Sequence, residues 1–117
     1  MRVQVEAIYA LFRAIDQNAW DRLGDFFCPD VEYLRPGYPP IRGLSGLVEF
    51  YQAIRVVESG EHRIAKVLSD GSFACCWGSF HGVSRTHEDL GIEFSDWYTF
   101  KDRKIEKRRT FFYQPAI

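Results

Sequence analysis

The stretch Ile92-Glu93-Phe94-Ser95-Asp96-Trp97-Tyr98-Thr99-Phe100 carries most of what this sequence says about its fold. In an extended strand successive side chains point to opposite faces, so Ile92, Phe94, Asp96, Tyr98 and Phe100 share one. That face is apolar and aromatic except at Asp96. An ionised carboxylate among aromatic rings is costly unless paired, so Asp96 is expected to pair, to protonate or to do chemistry.

Outward from this strand the period stays at two. Gly91 to Phe100 and Lys104 to Gln114 are predicted strands around Lys101-Asp102-Arg103, a turn without the usual glycine. His62 to Leu68 and Ser72 to Val83 flank Asp70-Gly71, a strong hairpin signal, and residues 84–90 read as a polar loop. Before His62 the period is helical. Val5, Ile8, Leu11, Phe12 and Ile15 predict an amphipathic helix over 2–16. Asn18 is expected to cap a second, short helix carrying Trp20, Leu23, Phe26 and Phe27, which Pro29 helps to end. Val31 to Arg35 is a short strand, and 36–40 is irregular. A third helix is predicted from Leu44 to Glu58, with Leu47, Phe50, Tyr51, Ile54 and Val57 inward and Gly60 past its end.

The order α-α-β-α-β-β-β-β defines an α+β class. Helices of this length cannot bury their stripes on each other, so all three cover one face of a curved, mostly antiparallel sheet. Such a sheet wraps into a cone-shaped barrel with an internal cavity. At 117 residues, 46% hydrophobic and 16% aromatic, residues 1–117 are expected to form one domain with a well-filled core.

A formal net charge of −1 argues against nucleic acid or an anionic membrane as partner. The basic stretch Lys101 to Arg109 reads as a solvated hairpin. The N-terminus lacks the apolar run of a signal peptide, and no segment reaches about 18 apolar residues. Cys75 and Cys76 are adjacent and point to opposite faces of a strand, and no spacing suggests a metal site. A cytoplasmic protein without cofactor is the expectation.

The element order, the segments Asn18-Ala19-Trp20-Asp21…Pro29-Asp30-Val31-Glu32-Tyr33 and Gly43…Leu47-Val48-Glu49-Phe50-Tyr51, and the motifs Asp70-Gly71, Gly78-Ser79-Phe80-His81-Gly82 and Asp96…Lys104-Ile105 resemble the nuclear transport factor 2-like superfamily. Within it the chain is most similar to the polyketide-cyclase-like (SnoaL-like) and ketosteroid-isomerase-like branches. The resemblance covers nearly the whole chain and specifies fold better than reaction, because the superfamily includes isomerases, dehydratases, epoxide hydrolases, cyclases and proteins without catalysis.

By this resemblance Asp96 falls where ketosteroid isomerases keep a protonated aspartate and where cyclase-like relatives keep an acid/base. The isomerases' proton-abstracting aspartate aligns with Arg35, their oxyanion tyrosine with Leu11, and a histidine near the cyclase site with Cys76. Arg35 cannot act as a general base at ordinary pH, so steroid-isomerase chemistry in its known form is not expected. Tyr33 and Arg35, with Arg108 and Thr110 of the last strand, would look into the cavity. Asp96 is then expected to face Arg35 or Arg108.

Either a buried Asp–Arg pair fixes the cone's shape, or the arginine binds a ligand oxygen while Asp96 moves a proton. His81 is a further catalytic candidate if a bulge turns it inward; otherwise it lies on the outer face. His62 and His87 are expected to be exposed. Tyr33 and Tyr98 offer hydroxyls to a ligand. Phe50, Ile54, Cys76 and Phe80 would form pocket wall, with room left beside Phe80 by its small neighbours, and the Pro36–Pro40 loop with Tyr38 would rim the mouth.

Three functions fit. The first is a small-molecule enzyme of cyclase, isomerase or dehydratase type acting on an apolar carbonyl or polyphenolic compound. The second is a non-catalytic ligand-binding or accessory protein. The third is a dimeric interaction module. Trp77 and Trp97 on the outer sheet face point to a homodimer.

Overall fold

The computed structural model describes residues 2–114; Met1 and residues 115–117 of the expected 1–117 unit lie outside the described residues. Helix α1 (Arg2–Asp16) places Ile8, Leu11, Phe12 and Ile15 in the core. Asn18 does not cap the next helix. It takes φ 54 and donates its backbone N–H to the Ile15 carbonyl, closing α1 in the left-handed conformation that asparagine tolerates. Trp20–Asp25 form a 3₁₀ turn with Leu23 buried.

Strand β1 (Phe27–Leu34) starts earlier than the sequence suggested, so Phe27 is a strand residue. Pro29, which has no N–H, falls where the β1–β6 ladder is interrupted between Phe27 and Glu32. Strand β2 (Ile41–Arg42) leads into α2 (Gly43–Glu49), which continues as a single π turn, Phe50–Ile54. The helix therefore ends short of Glu58. Arg85 fixes this end by donating from Nε to the Arg55 carbonyl at 2.8 Å and from Nη2 to that of Gln52 at 2.8 Å.

Four long strands follow: β3 (Val57–Asp70), β4 (Phe73–Ser84), β5 (Asp89–Lys101) and β6 (Lys104–Phe112). The sheet order is β2-β1-β6-β5-β4-β3, antiparallel throughout except for β1 beside β6. Gly71 at φ 62 makes the β3–β4 turn. Asp102 at φ 59 takes the glycine role in the β5–β6 turn, as a short polar side chain can. Three helical segments thus cover a curved, open, mixed six-stranded sheet, the cone-shaped α+β architecture expected.

Gly60 is a strand residue paired with Gly82, not a helix terminator. A Cβ on Gly60 would lie 2.2 Å from Phe80 Cζ, so the Phe80 ring occupies the space the glycine leaves. A Cβ on Gly78 would meet the Arg63 carbonyl at 2.1 Å, where β3 is bulged between Ile64 and Lys66. The room left by these glycines is taken up by the protein itself, and Phe80 borders open space on the side it shares with Ile92 and Phe94.

Candidate functional site

Asp96 is fully buried on the concave face of β5, as alternation predicts. Its cross-strand partner on β6 is Thr110, and Arg108 pairs with Tyr98 one inward position away. Asp96 Oδ2 accepts from Arg108 Nε at 3.0 Å, from Arg108 Nη2 at 2.8 Å and from the Tyr98 hydroxyl at 2.8 Å. Oδ1 accepts from Thr110 Oγ1 at 2.5 Å. The guanidinium also donates from Nη1 to the Tyr51 hydroxyl at 2.7 Å and lies 4.6 Å from the centre of the Tyr33 ring.

Arg35 reaches this cluster through a relay. Thr110 has one hydroxyl hydrogen and gives it to the carboxylate, so Tyr33 donates to Thr110 at 2.7 Å and accepts from Arg35 Nη1 at 2.9 Å. Of the two expected arginine partners, Arg108 holds Asp96 directly and Arg35 through two hydroxyls. Burial pulls the Arg108 guanidinium down, but Asp96 and the neighbouring tyrosines outweigh it and hold it well above its usual value. Burial, with Asp96 close by, raises the Tyr98 phenol well above 10, so it remains a donor. Burial pushes the Cys76 thiol up to about 12, leaving an inert wall group behind Tyr98.

Above this floor a cavity of about 20 Å³ is lined by Phe12, Tyr51, Phe80, Ile92, Phe94 and Phe112 and by the polar groups of Arg35, Arg55, His62, Asp96, Arg108 and Thr110. That space holds one water-sized group. The structure thus brings Asp96, Arg35, Arg108 and Phe80 of the expected site to one cavity. Tyr33 and Tyr98 are buried in the network beneath it.

The others fall elsewhere. His81 is exposed on the outer face, so no bulge turns it inward. Ile54 is 49% exposed and sits with Phe50 and Tyr38 along a separate surface groove, because the π turn rotates Arg55, not Ile54, toward the cavity. The Tyr38 loop packs on Phe50 at 5.0 Å and does not line the cavity.

Two groups lie in the cavity wall unforeseen. His62, expected to be exposed, is largely buried, with ring contacts at 4.7 Å to both Phe12 and Phe80. Its Nδ1 is 2.5 Å from Asp16 Oδ1, and its backbone N–H donates to Asp16 Oδ2 at 2.9 Å. The carboxylate accepts, so Nδ1 carries the hydrogen and a neutral ring keeps Nε2 as an acceptor. Burial lowers the His62 pKa, against the opposing pull of Asp16. Arg55 is the other, buried at 4% exposure beside the stacked Trp20 and Tyr51 rings. A histidine alternating with Ile64, and an arginine inside Ala53-Ile54-Arg55-Val56-Val57, were the signals available for each.

The chain belongs to the SnoaL-like domain family, whose pattern it matches over residues 8–108. A comparison with curated proteins finds no match. Among solved structures it is similar to TerC co-crystallised with polyporic acid (19% identity, 94% of this chain and 91% of that one covered, TM-score 0.84). It is likewise similar to an LEH-like epoxide hydrolase of M. tuberculosis (16%, 95% and 83%, 0.82) and a SnoaL-like polyketide cyclase of Agrobacterium tumefaciens str. C58 (18%, 96% and 92%, 0.79). Others of the same fold are named nuclear transport factor 2-like and ketosteroid isomerase-like. At these identities the likeness concerns the fold. Among the described residues no helix is long and apolar enough to cross a membrane.

Proposed function

We propose that this chain is a small-molecule enzyme of cyclase, isomerase or dehydratase type that moves a proton on an apolar, carbonyl-containing compound. The observation that carries this reading is His62, held by Asp16 and lining the same cavity as three arginines. His62 Nε2 takes a proton from carbon next to the carbonyl, and the Nδ1–H bond to Asp16 stabilises the imidazolium that forms. Arg35 and Arg108 supply positive charge to the oxygen that becomes an enolate. Asp96 orients Arg108, so the acid/base role expected of it passes to His62. The resting space is about 20 Å³, so a ring compound requires the cavity to widen as it enters. TerC binding polyporic acid on the same fold supports a cyclic, oxygen-bearing ligand.

The test needs no known substrate. Proton NMR in deuterium oxide follows α-deuterium incorporation into 1-indanone, 2-tetralone and 1,3-cyclohexanedione. The protein should accelerate exchange for at least one of them, and His62→Gln should lose about 10²-fold of that rate. Equal rates in the two proteins, or no acceleration at all, would remove the catalytic reading. The second reading, ligand binding without turnover, draws on the four hydrogen bonds that occupy Asp96.

We also propose that the outer sheet face pairs with a second copy of this chain. Phe73, Trp77, Trp97 and Phe111 are 62%, 45%, 54% and 47% exposed there, and Trp77 and Phe111 both flank Ser95. Sedimentation at micromolar concentration should give a dimer, and Trp97→Lys a monomer. A wild-type monomer contradicts the proposal. Free Cys28, Cys75 and Cys76 fit a reducing cytoplasm.

A further inference from the structure

Arg55 is the charge in this cavity that nothing balances. It is buried at 4% exposure, and its Nε has no hydrogen-bond partner among the described residues. No carboxylate among them lies within ion-pair distance of it; the pairs formed are Arg22–Asp25, Arg42–Glu32, His62–Asp16, Arg63–Glu61 and Arg108–Asp96. Of the described residues the one acidic group lining the cavity, Asp96, is already engaged by Arg108, and Asp16 behind His62 is engaged by that ring. What Arg55 does have is the stacked pair Trp20 and Tyr51 beside it, with ring centres 5.2 Å and 4.9 Å from the guanidinium carbon, which does not neutralise its charge. Burial lowers its pKa to about 10, so it stays protonated at neutral pH.

The backbone beneath it is built to hold it there. The π turn closes with the Arg55 N–H donating to the Phe50 carbonyl at 3.0 Å, and Arg85 pins the Arg55 carbonyl. A buried, unpaired cation on a fixed backbone lowers stability, and it is relieved by an anion arriving from outside. The planar fork of guanidinium N–H groups matches a carboxylate, and the rest of the cavity wall is largely aromatic and aliphatic.

We infer that the cavity takes an organic carboxylate, its charged group held by Arg55 and its apolar body lying against the Phe80, Ile92 and Phe94 wall. This rests on the reading of the cavity as a small-molecule site, and it names the class of molecule that site selects.

The test is calorimetric titration of the full chain at neutral pH with matched acid and amide pairs: acetate and acetamide, benzoate and benzamide, 1-naphthoate and 1-naphthamide. At least one acid should bind about tenfold or more tightly than its amide. Arg55→Met should abolish that preference and Arg55→Lys should keep part of it. Amides binding as well as acids, or a preference that survives Arg55→Met, overturns the inference while leaving the pocket and its proton chemistry standing. Phenyl phosphate binding more tightly than benzoate overturns the assignment to carboxylates. If none of the probes binds, the inference fails, and deuterium exchange by the wild-type protein decides separately whether the proton chemistry stands. Arg55→Met should also melt no lower than wild type without ligand, because Arg55 is a binding group; a fall of more than about 10 °C would make it a structural strut and overturn the inference. Failure of that variant to fold is the extreme of the same outcome and overturns the inference as well.

Discussion

The two polar groupings around this cavity differ in one respect. The Asp96–Arg108 floor is closed: the carboxylate accepts four hydrogen bonds, the guanidinium donates three, and the tyrosines and threonine around them pass hydrogens in a fixed direction. The wall formed by Arg55 and His62 is open, with a buried guanidinium Nε that no described residue satisfies and an imidazole held by Asp16 at Nδ1. Buried polar groups in folded proteins are normally bonded. A site that meets a ligand is where the exceptions collect, so the open wall is the part suited to meet something and the closed floor is the part that holds shape.

The comparison breaks most readily at Asp96. Asp96→Asn should leave Arg108 buried without a counter-charge and cost about 3–5 kcal/mol, a fall in melting temperature on the order of 10–20 °C. Urea and thermal denaturation measure it directly. A loss below about 1 kcal/mol would mean that the floor is not the anchor, and the acid/base role would return to Asp96. Arg55→Met, which removes an unsatisfied group from the other side, should show no such loss.

The same contrast explains what was legible in the sequence. Asp96 stood out because strand alternation has a period of two and one charge among Ile92, Phe94, Tyr98 and Phe100 breaks it. Alternation puts Arg108 and Thr110 on one face of the neighbouring strand, and the family resemblance turned that face inward. Arg55 was hidden by a single π turn, which adds a residue to the helical period and so exchanges Ile54 for Arg55 on the inward face. His62 was hidden because β3 begins at Val57, inside what the apolar spacing marked as helix, and because its partner Asp16 is 46 residues away. Gly60 looked like a helix stop when its role is to receive the Phe80 ring. Local periodicity reports faces well and reports poorly where one element changes into another.

The smallest expected effect separates the two groupings by pH. Burial lowers the His62 pKa, so the folded chain binds fewer protons at this site than the unfolded chain does below about 6.5. Stability from this group is therefore present above the unfolded value and is lost as pH falls through about 6.5 toward the lower folded value. The slope cannot exceed about 1.4 kcal/mol per pH unit, and Asp16 opposes it, so the observed slope should be well under that. Chemical denaturation of wild type and His62→Gln at intervals between about pH 5 and pH 7 exposes the term, because the substitution removes the imidazole bonded to Asp16. The difference in stability between the two proteins should narrow as pH falls. A difference constant with pH would mean that Asp16 holds His62 in one charge state throughout, and a base that cannot change its charge could not carry the proton assigned to it.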